Sequence, residues 1–244
     1  MFTLLINAFK IIFLLGFLIL IHEGGHFLFA KLFKVKVKEF SIGFGPKVWD
    51  KQGKETKYTI RLIPLGGYVN MLGEEERSEE EGSFNKASIP KRMIILVAGG
   101  LVNIIFGLLL YFCLVAGITS NIGIAFEATK DFIFILFDSI KQLFTAQVGV
   151  DQLMGPVGIS TTVAATTGFV DFAYMLALIS VSLGITNLLP FPPLDGGKVV
   201  LLIIEAIRKK PLKENIEIGL QMAGFFLLIG LSIYVAYNDV LRIF

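Results

Sequence analysis

The sequence predicts an α-helical polytopic membrane protein with four transmembrane helices, a membrane-associated β-hairpin or re-entrant element, and an interfacial amphipathic helix. Hydrophobic residues make up 55% of the 244 residues, whereas soluble domains usually contain about 45–50%. The mean hydropathy is +0.75. The net charge of +2 is too small to suggest nucleic acid as a partner, so the lipid bilayer is the expected environment.

Four stretches are long and apolar enough to cross a bilayer, which takes about 20 predominantly apolar residues. They cover about residues 11–32, 93–118, 172–189 and 218–237. The first stretch lacks a small-residue cleavage site, so we expect it to be retained rather than removed as a signal peptide.

The placement of lysine and arginine predicts the orientation of these spans. Basic residues concentrate in segment 31–92 and again in segment 198–213, whereas segment 119–171 combines two lysines, Lys130 and Lys141, with acidic residues. Because cytoplasmic loops carry the excess of basic residues, the first two segments are expected inside. Both termini are then external.

Two connecting segments are predicted to have structure of their own. Residues 35–70 alternate in a β-like pattern around a polar turn, which indicates a hairpin. Residues 126–147 have one charged and one apolar face, and the apolar run is too short to span, which is typical of an interfacial helix. The acidic loop 74–81 is interpreted as solvated, with no function assigned to it.

The first span contains His22-Glu23-Gly24-Gly25-His26, an HExxH sequence that includes the only two histidines of the chain. Positions i and i+4 share one helix face, so both imidazoles can reach one metal ion. Glu23 lies beside them, where it can accept a proton from a metal-bound water. A charge at mid-helix costs about 2.5–3.5 kcal/mol on insertion scales, which favours a functional role over simple packing.

Catalytic zinc typically has three protein ligands, so a third ligand is needed. Cys113 and Asp195 are the two candidates inside or at the end of predicted spans. Asp195 follows a proline-rich break, and such breaks at membrane depth occur where backbone is buried in protein or lines a watery cavity. Asp195 could also be a simple helix N-cap, but together with HExxH the ligand interpretation is favoured.

Further motifs occur in a fixed order along the chain. After HExxH come Gly-Phe-Gly-Pro at 43–46, Ala-Gly-x-x-x-Asn at 98–103, Gly-Pro-Val-Gly-Ile at 155–159 and Asn-x-x-Pro-x-Pro-x-Leu-Asp-Gly-Gly at 187–197. Together these motifs resemble the site-2 protease family, specifically its bacterial RseP-type branch, over nearly the whole chain.

The resemblance implies one Zn²⁺ per chain, with His22, His26 and Asp195 as ligands and Glu23 as the general base for attack by zinc-bound water. Asn187 would help to bind the substrate backbone or the developing oxyanion. The hairpin would offer an edge strand to an unwound substrate, because an opened transmembrane helix needs partners for its backbone groups.

The implied enzyme is an intramembrane zinc metalloendopeptidase of a bacterial inner or plasma membrane, with its active site toward the cytoplasmic side. Its substrates would be transmembrane segments of single-pass membrane proteins, such as anti-sigma factors or signal-peptide remnants, cleaved in regulated intramembrane proteolysis. A membrane metal-ion transporter and a catalytically inactive protein that binds membrane partners are the alternatives.

The sequence also departs from this family. Gly24, Gly100 and Lys198 stand where the family usually has a bulkier residue, proline and histidine, respectively. The PDZ domain usual in this branch is absent near residues 119–125, where the linker is too short to hold it. We therefore expect residues 1–244 to form a single membrane-embedded protease domain.

Overall fold

The computed structural model describes residues 2–145, 147, 149 and 153–243. Seven α-helices and two β-strands make up these parts of the chain. They are α1 (Phe2–Leu32), β1 (Val37–Gln52), β2 (Lys57–Met71), α2 (Ile89–Thr119), α3 (Ile122–Phe144), α4 (Pro156–Ala165), α5 (Phe169–Asn187), α6 (Asp195–Arg208) and α7 (Glu214–Ile243).

Four of these helices are long and apolar enough to cross a membrane, which confirms the predicted fold class. The segments that qualify are Thr3–Leu32, Ile89–Thr119, Phe169–Asn187 and Glu214–Arg242. Three of them contain the whole predicted span and extend beyond it, because the helical hydrogen bonding continues into the residues that flank each apolar run. The third ends at Asn187, two residues before the predicted end and before the proline-rich segment.

β1 and β2 form an antiparallel hairpin in which Gln52 pairs with Lys57. The strands are longer than the sequence suggested. β1 continues through Gly43 and Gly45, whose positive φ angles of 88° and 82° are accessible to glycine at little steric cost. Residues 39–42 face both 57–60 and 67–70, so the first half of β1 lies between two segments of β2. Val48, Trp49 and Leu62 expose apolar side chains, which suits contact with lipid.

The amphipathic helix α3 covers residues 122–144 rather than 126–147. Its earlier start is explained by Asn121, whose side-chain oxygen accepts hydrogen bonds from the backbone N–H groups of Gly123 and Ile124 at 2.9 and 3.2 Å. The helix carries exposed apolar side chains such as Phe134 and Phe137. Its position at a membrane interface stays a prediction.

The chain divides into two compact units, and the single membrane-embedded protease domain stays a prediction. One unit contains residues 1–11, 105–182 and 225–244, and the other contains residues 12–104 and 183–224. The second unit holds a core of buried side chains that includes Val37, Ile95 and Leu202.

In the first unit, the short helix α4 is held by a charged side chain at each end. The Asp239 carboxylate accepts hydrogen bonds from the N–H groups of Gly155 and Gly158 at 3.2 and 2.8 Å. The Lys10 ammonium donates a hydrogen bond to the Thr166 carbonyl oxygen at 2.6 Å. Both contacts complement the helix dipole, which is positive at the N-terminus and negative at the C-terminus.

Candidate metal centre

Three side chains of the second unit bring their donor atoms together: His22, His26 and Asp195. The Nε2 atoms of the two histidines lie 3.2 Å apart. The Asp195 Oδ2 atom lies 3.2 Å from each of them. The cluster is therefore a nearly equilateral triangle of two imidazole nitrogens and one carboxylate oxygen.

The size of this triangle fits a tetrahedral metal ion. Zinc bonds to nitrogen and oxygen ligands are about 2.0–2.2 Å long, which separates two tetrahedral ligands by about 3.3–3.6 Å. The observed 3.2 Å edges are within about 0.4 Å of that separation. A third protein ligand leaves the fourth position open, which is the pattern of catalytic rather than structural zinc sites.

A backbone hydrogen bond defines the protonation of His26. Its Nδ1 atom lies 2.8 Å from the Ile95 carbonyl oxygen, which can only accept a hydrogen bond, so Nδ1 carries the proton. The Nε2 atom is then left with a lone pair directed at the cluster. This second contact is typical of metal-ligating histidines, in which a carbonyl or carboxylate fixes the ring orientation.

Glycine residues allow α1 and α2 to approach closely at the cluster. A Cβ atom added at Gly25 would lie 2.7 Å from the Ala98 carbonyl oxygen, and one added at Gly99 would lie 2.3 Å from His26 Nε2. Real Cβ atoms essentially never come closer than 3.0 Å to another heavy atom. The α2 backbone at Gly99 thus forms one wall of the metal centre.

Asp195 is placed by the start of α6. The N-cap position of this helix is Leu194, so the alternative interpretation of Asp195 as the N-cap is wrong, and its carboxylate faces the histidines. A Cβ at Gly196 would lie 2.2 Å from the Leu188 carbonyl oxygen, so only glycine allows this close return of the chain. The paired Arg92 and Glu205 side chains, with hydrogen bonds of 3.2 and 2.5 Å, join α2 to α6.

Burial and charge act in opposite directions on Asp195. Burial alone would raise the pKa of its carboxyl group, but the hydrogen bonds with His22 and His26 and the positive charge of these rings, when they are protonated, lower it below the usual range. The group is therefore ionised at neutral pH, as a metal ligand must be.

The structure brings three of the predicted site residues together, namely His22, His26 and Asp195. Glu23 follows His22 directly on α1, and its side chain is half-buried. Asn187 is the last residue of α5 and is half-buried, and its role in substrate binding stays a prediction. Cys113 is exposed, and the metal-binding group found among the described residues includes Asp195 instead.

The sequence did not predict the ion pair between Lys198 and Glu74. The Lys198 ammonium lies 2.8 Å from the Glu74 carboxylate. Glu74 belongs to the acidic loop 74–81, to which the sequence assigned no function. The negative charge of Glu74 raises the pKa of Lys198 above its usual value, although burial opposes this. Lys198 lies one helical turn after Asp195, so the pair connects the loop to the helix that carries the third candidate ligand.

Fold and site together define a polytopic helical membrane protein with a buried two-histidine, one-carboxylate metal centre. The model of peptidase family M50 matches residues 10–231. The chain belongs to this family and is a metalloprotease, and the resemblance to site-2 proteases predicted from the sequence is confirmed.

Three relatives, each named "Putative zinc metalloprotease", illustrate the similarity. A protein of Clostridium acetobutylicum is 31% identical over 92% of this chain and 94% of its own length. A protein of Fusobacterium nucleatum is 28% identical over 95% of this chain and 97% of its own length. One of Thermotoga maritima is 48% identical over 112 residues, which is 44% of this chain and 22% of the relative.

The alignment with the Clostridium acetobutylicum protein is also longer than the part of this chain that it includes. It has 321 positions but includes 92% of this chain, which is about 224 of 244 residues. About 97 positions of the relative therefore have no counterpart here. That length is sufficient for a small domain and agrees with the predicted absence of a PDZ domain.

Proposed function

We propose that this chain is an intramembrane zinc metalloendopeptidase that cleaves transmembrane segments of single-pass membrane proteins. The observation that carries the proposal is the triangle of His22, His26 and Asp195 donor atoms, with edges of 3.2 Å, on and beside a helix long enough to span a membrane. The relatives' names support zinc as the metal.

His22, His26 and Asp195 would hold the zinc ion. Bound there, zinc would act as a Lewis acid that makes water a stronger nucleophile and polarises the scissile carbonyl. Glu23 accepts the proton of the attacking water and then donates it to the leaving amine. Asn187 would donate a hydrogen bond from its amide to the substrate backbone or to the developing oxyanion.

The position of β2 beside Glu23 supports the proposal that this strand binds the substrate. A Cβ added at Gly67 of β2 would lie 3.1 Å from Glu23 Cγ, so the strand backbone passes directly beside the proposed base. In the part of the chain that the structure describes, residues 67–71 pair with β1 residues 37–42 on one side. An unwound substrate segment could pair with the other side, which would satisfy its exposed backbone groups.

The proposed location is a bacterial inner or plasma membrane, with both termini external and the active site toward the cytoplasm. The basic segments 31–92 and 198–213 support this orientation. The proposed substrates, such as anti-sigma factors or remnants of signal peptides, would release a cytoplasmic product.

The test compares Glu23→Gln with wild type in detergent or vesicles, with a reporter membrane protein as substrate. We expect Glu23→Gln to retain one zinc per chain, measured by mass spectrometry of the metal, and to lose cleavage by at least about 100-fold, as for the loss of a general base. Glu76→Gln is the matched control, since Glu76 is an exposed residue of the acidic loop. Undiminished cleavage by Glu23→Gln, or zinc uptake into vesicles without cleavage by wild type, would refute the proposal.

A further inference from the structure

We propose that Asn103 is a positioning residue for the metal centre, whose amide oxygen accepts a hydrogen bond from Nδ1–H of His22 and so fixes the ligand tautomer of that ring. The inference rests on the proposed metal site but not on proteolysis. It assigns a role to the asparagine of the Ala-Gly-x-x-x-Asn stretch, which entered the sequence comparison only as part of a family motif.

Asn103 is fully buried, with 0% of its surface exposed, inside the second membrane-spanning helix. Its side-chain amide nitrogen lies 3.5 Å from His22 Nδ1, and the amide oxygen occupies the equivalent position when the group is rotated by 180°. Placing a polar amide in a span is unfavourable unless it is hydrogen-bonded. A carboxamide at this depth, in contact with one histidine of the cluster, therefore points to a role in that cluster.

The chemistry of a ligated imidazole determines which amide atom faces the ring. The Nε2 atom of His22 is the one in the cluster, 3.2 Å from Asp195 Oδ2. A nitrogen that binds a metal carries no proton, so the single proton of the neutral ring is on Nδ1, which then needs an acceptor. A rotation of the amide by 180° about the Cβ–Cγ bond directs its oxygen at His22 Nδ1, and the two orientations have nearly the same shape.

The two histidines would then be held in the same way by one helix. The Ile95 carbonyl oxygen accepts from His26 at 2.8 Å, and Asn103 accepts from His22. Ile95 and Asn103 are eight residues apart on α2, a spacing that places them on the same side of the helix. The backbone carbonyl of Ile95 accepts the hydrogen bond from His26, whereas the acceptor for His22 is the longer side chain of Asn103.

The test measures zinc affinity by competition with a chelator, together with the visible absorption spectrum of the Co²⁺-substituted protein. Asn103→Leu removes the acceptor while keeping the number of side-chain heavy atoms, and we expect zinc to bind about 10–100-fold more weakly, with an altered Co²⁺ spectrum. Asn103→Asp retains an acceptor oxygen and should restore affinity to within several-fold of wild type. Leu96→Ala, at another buried position of α2, reports the effect of loosened packing alone.

The outcomes separate this proposal from its alternatives. Wild-type affinity in Asn103→Leu, or a loss no larger than that in Leu96→Ala, would overturn it. An equal loss in Asn103→Leu and Asn103→Asp would also overturn it, because that result indicates an interhelical contact without a role for the acceptor. If wild type binds zinc but cleaves no reporter, the protease proposal fails while these affinities still decide the role of Asn103.

Discussion

Replacing Gly99 with alanine should displace a metal ligand without changing any ligand. Gly99 is in the middle of α2, and the added Cβ atom would lie 2.3 Å from His26 Nε2. The other nearby atoms also belong to the His26 ring, at 2.7 and 2.8 Å. Because a side chain can move more easily than two packed helices, we expect the imidazole to rotate away.

The required movement is large compared with the tolerance of a metal bond. Ordinary van der Waals contact begins near 3.4 Å, so Nε2 must retreat by about 1.1 Å. Metal–ligand distances in functional sites vary by only about 0.2 Å. The loss should therefore exceed the roughly 10–100-fold effect of removing an outer-shell contact, and we expect zinc affinity to fall by more than about 100-fold.

The assay is the zinc content of the purified protein after dialysis against a weak chelator, followed by cleavage of the reporter. Gly117→Ala on the same helix and Gly16→Ala on α1 are matched controls, because nothing lies within 4 Å of a Cβ at either position. Both should retain zinc. Stoichiometric zinc and normal cleavage in Gly99→Ala would refute the reasoning and show that α1 and α2 can separate at this point.

Three other substitutions test neighbouring contacts. Lys198→Met should lower the free energy of unfolding by about 1–3 kcal/mol, and the double variant with Glu74→Gln should lose less than the sum of the single variants, as measured by thermal unfolding in detergent. Gly67→Ala should reduce cleavage while zinc content stays unchanged, because the added Cβ would lie 2.8 Å from the Ser41 carbonyl oxygen and from Ile19 Cγ2 and 3.1 Å from Glu23 Cγ, so the strand must shift beside the proposed base; unchanged cleavage would contradict a substrate strand at this position. Asp239→Asn should destabilise the protein by up to about 2 kcal/mol, because it removes the charge from the start of α4, and an unaltered melting temperature would exclude that stabilising role.

The sequence predicts those parts of the site that depend on local geometry. The spacing of His22 and His26 is a property of any α-helix, so two ligands on one face can be inferred without knowing the fold. Asp195 is 169 residues after His26, and no periodicity connects them. It was identified from the need for a third ligand, the proline-rich break and the resemblance to a family.

The contacts missed by the sequence analysis depend on how separate elements pack. The pairing of Lys198 with Glu74 joins residues 124 positions apart, and neither residue type nor spacing indicates it. The tight approaches at Gly25 and Gly99 were not predicted either, because a glycine in a span has several uses. Helix α6 was considered only through the alternative interpretation of Asp195 as an N-cap, because its polar first turn follows a proline-rich segment that is typical of a loop.

The charges around the metal centre explain why Lys198 and Glu74 belong to it. The Lys198 ammonium interacts electrostatically with Glu74, Asp195 and Glu23, so one cation faces three carboxylates. With neutral imidazole rings and three ionised carboxyl groups, these four groups have a net charge of −2, and uncompensated charge is costly where water is excluded. A divalent ion reduces that sum to zero. The acidic loop therefore completes the electrostatics of the site, because Lys198 without Glu74 would leave an excess positive charge beside the metal and weaken its binding.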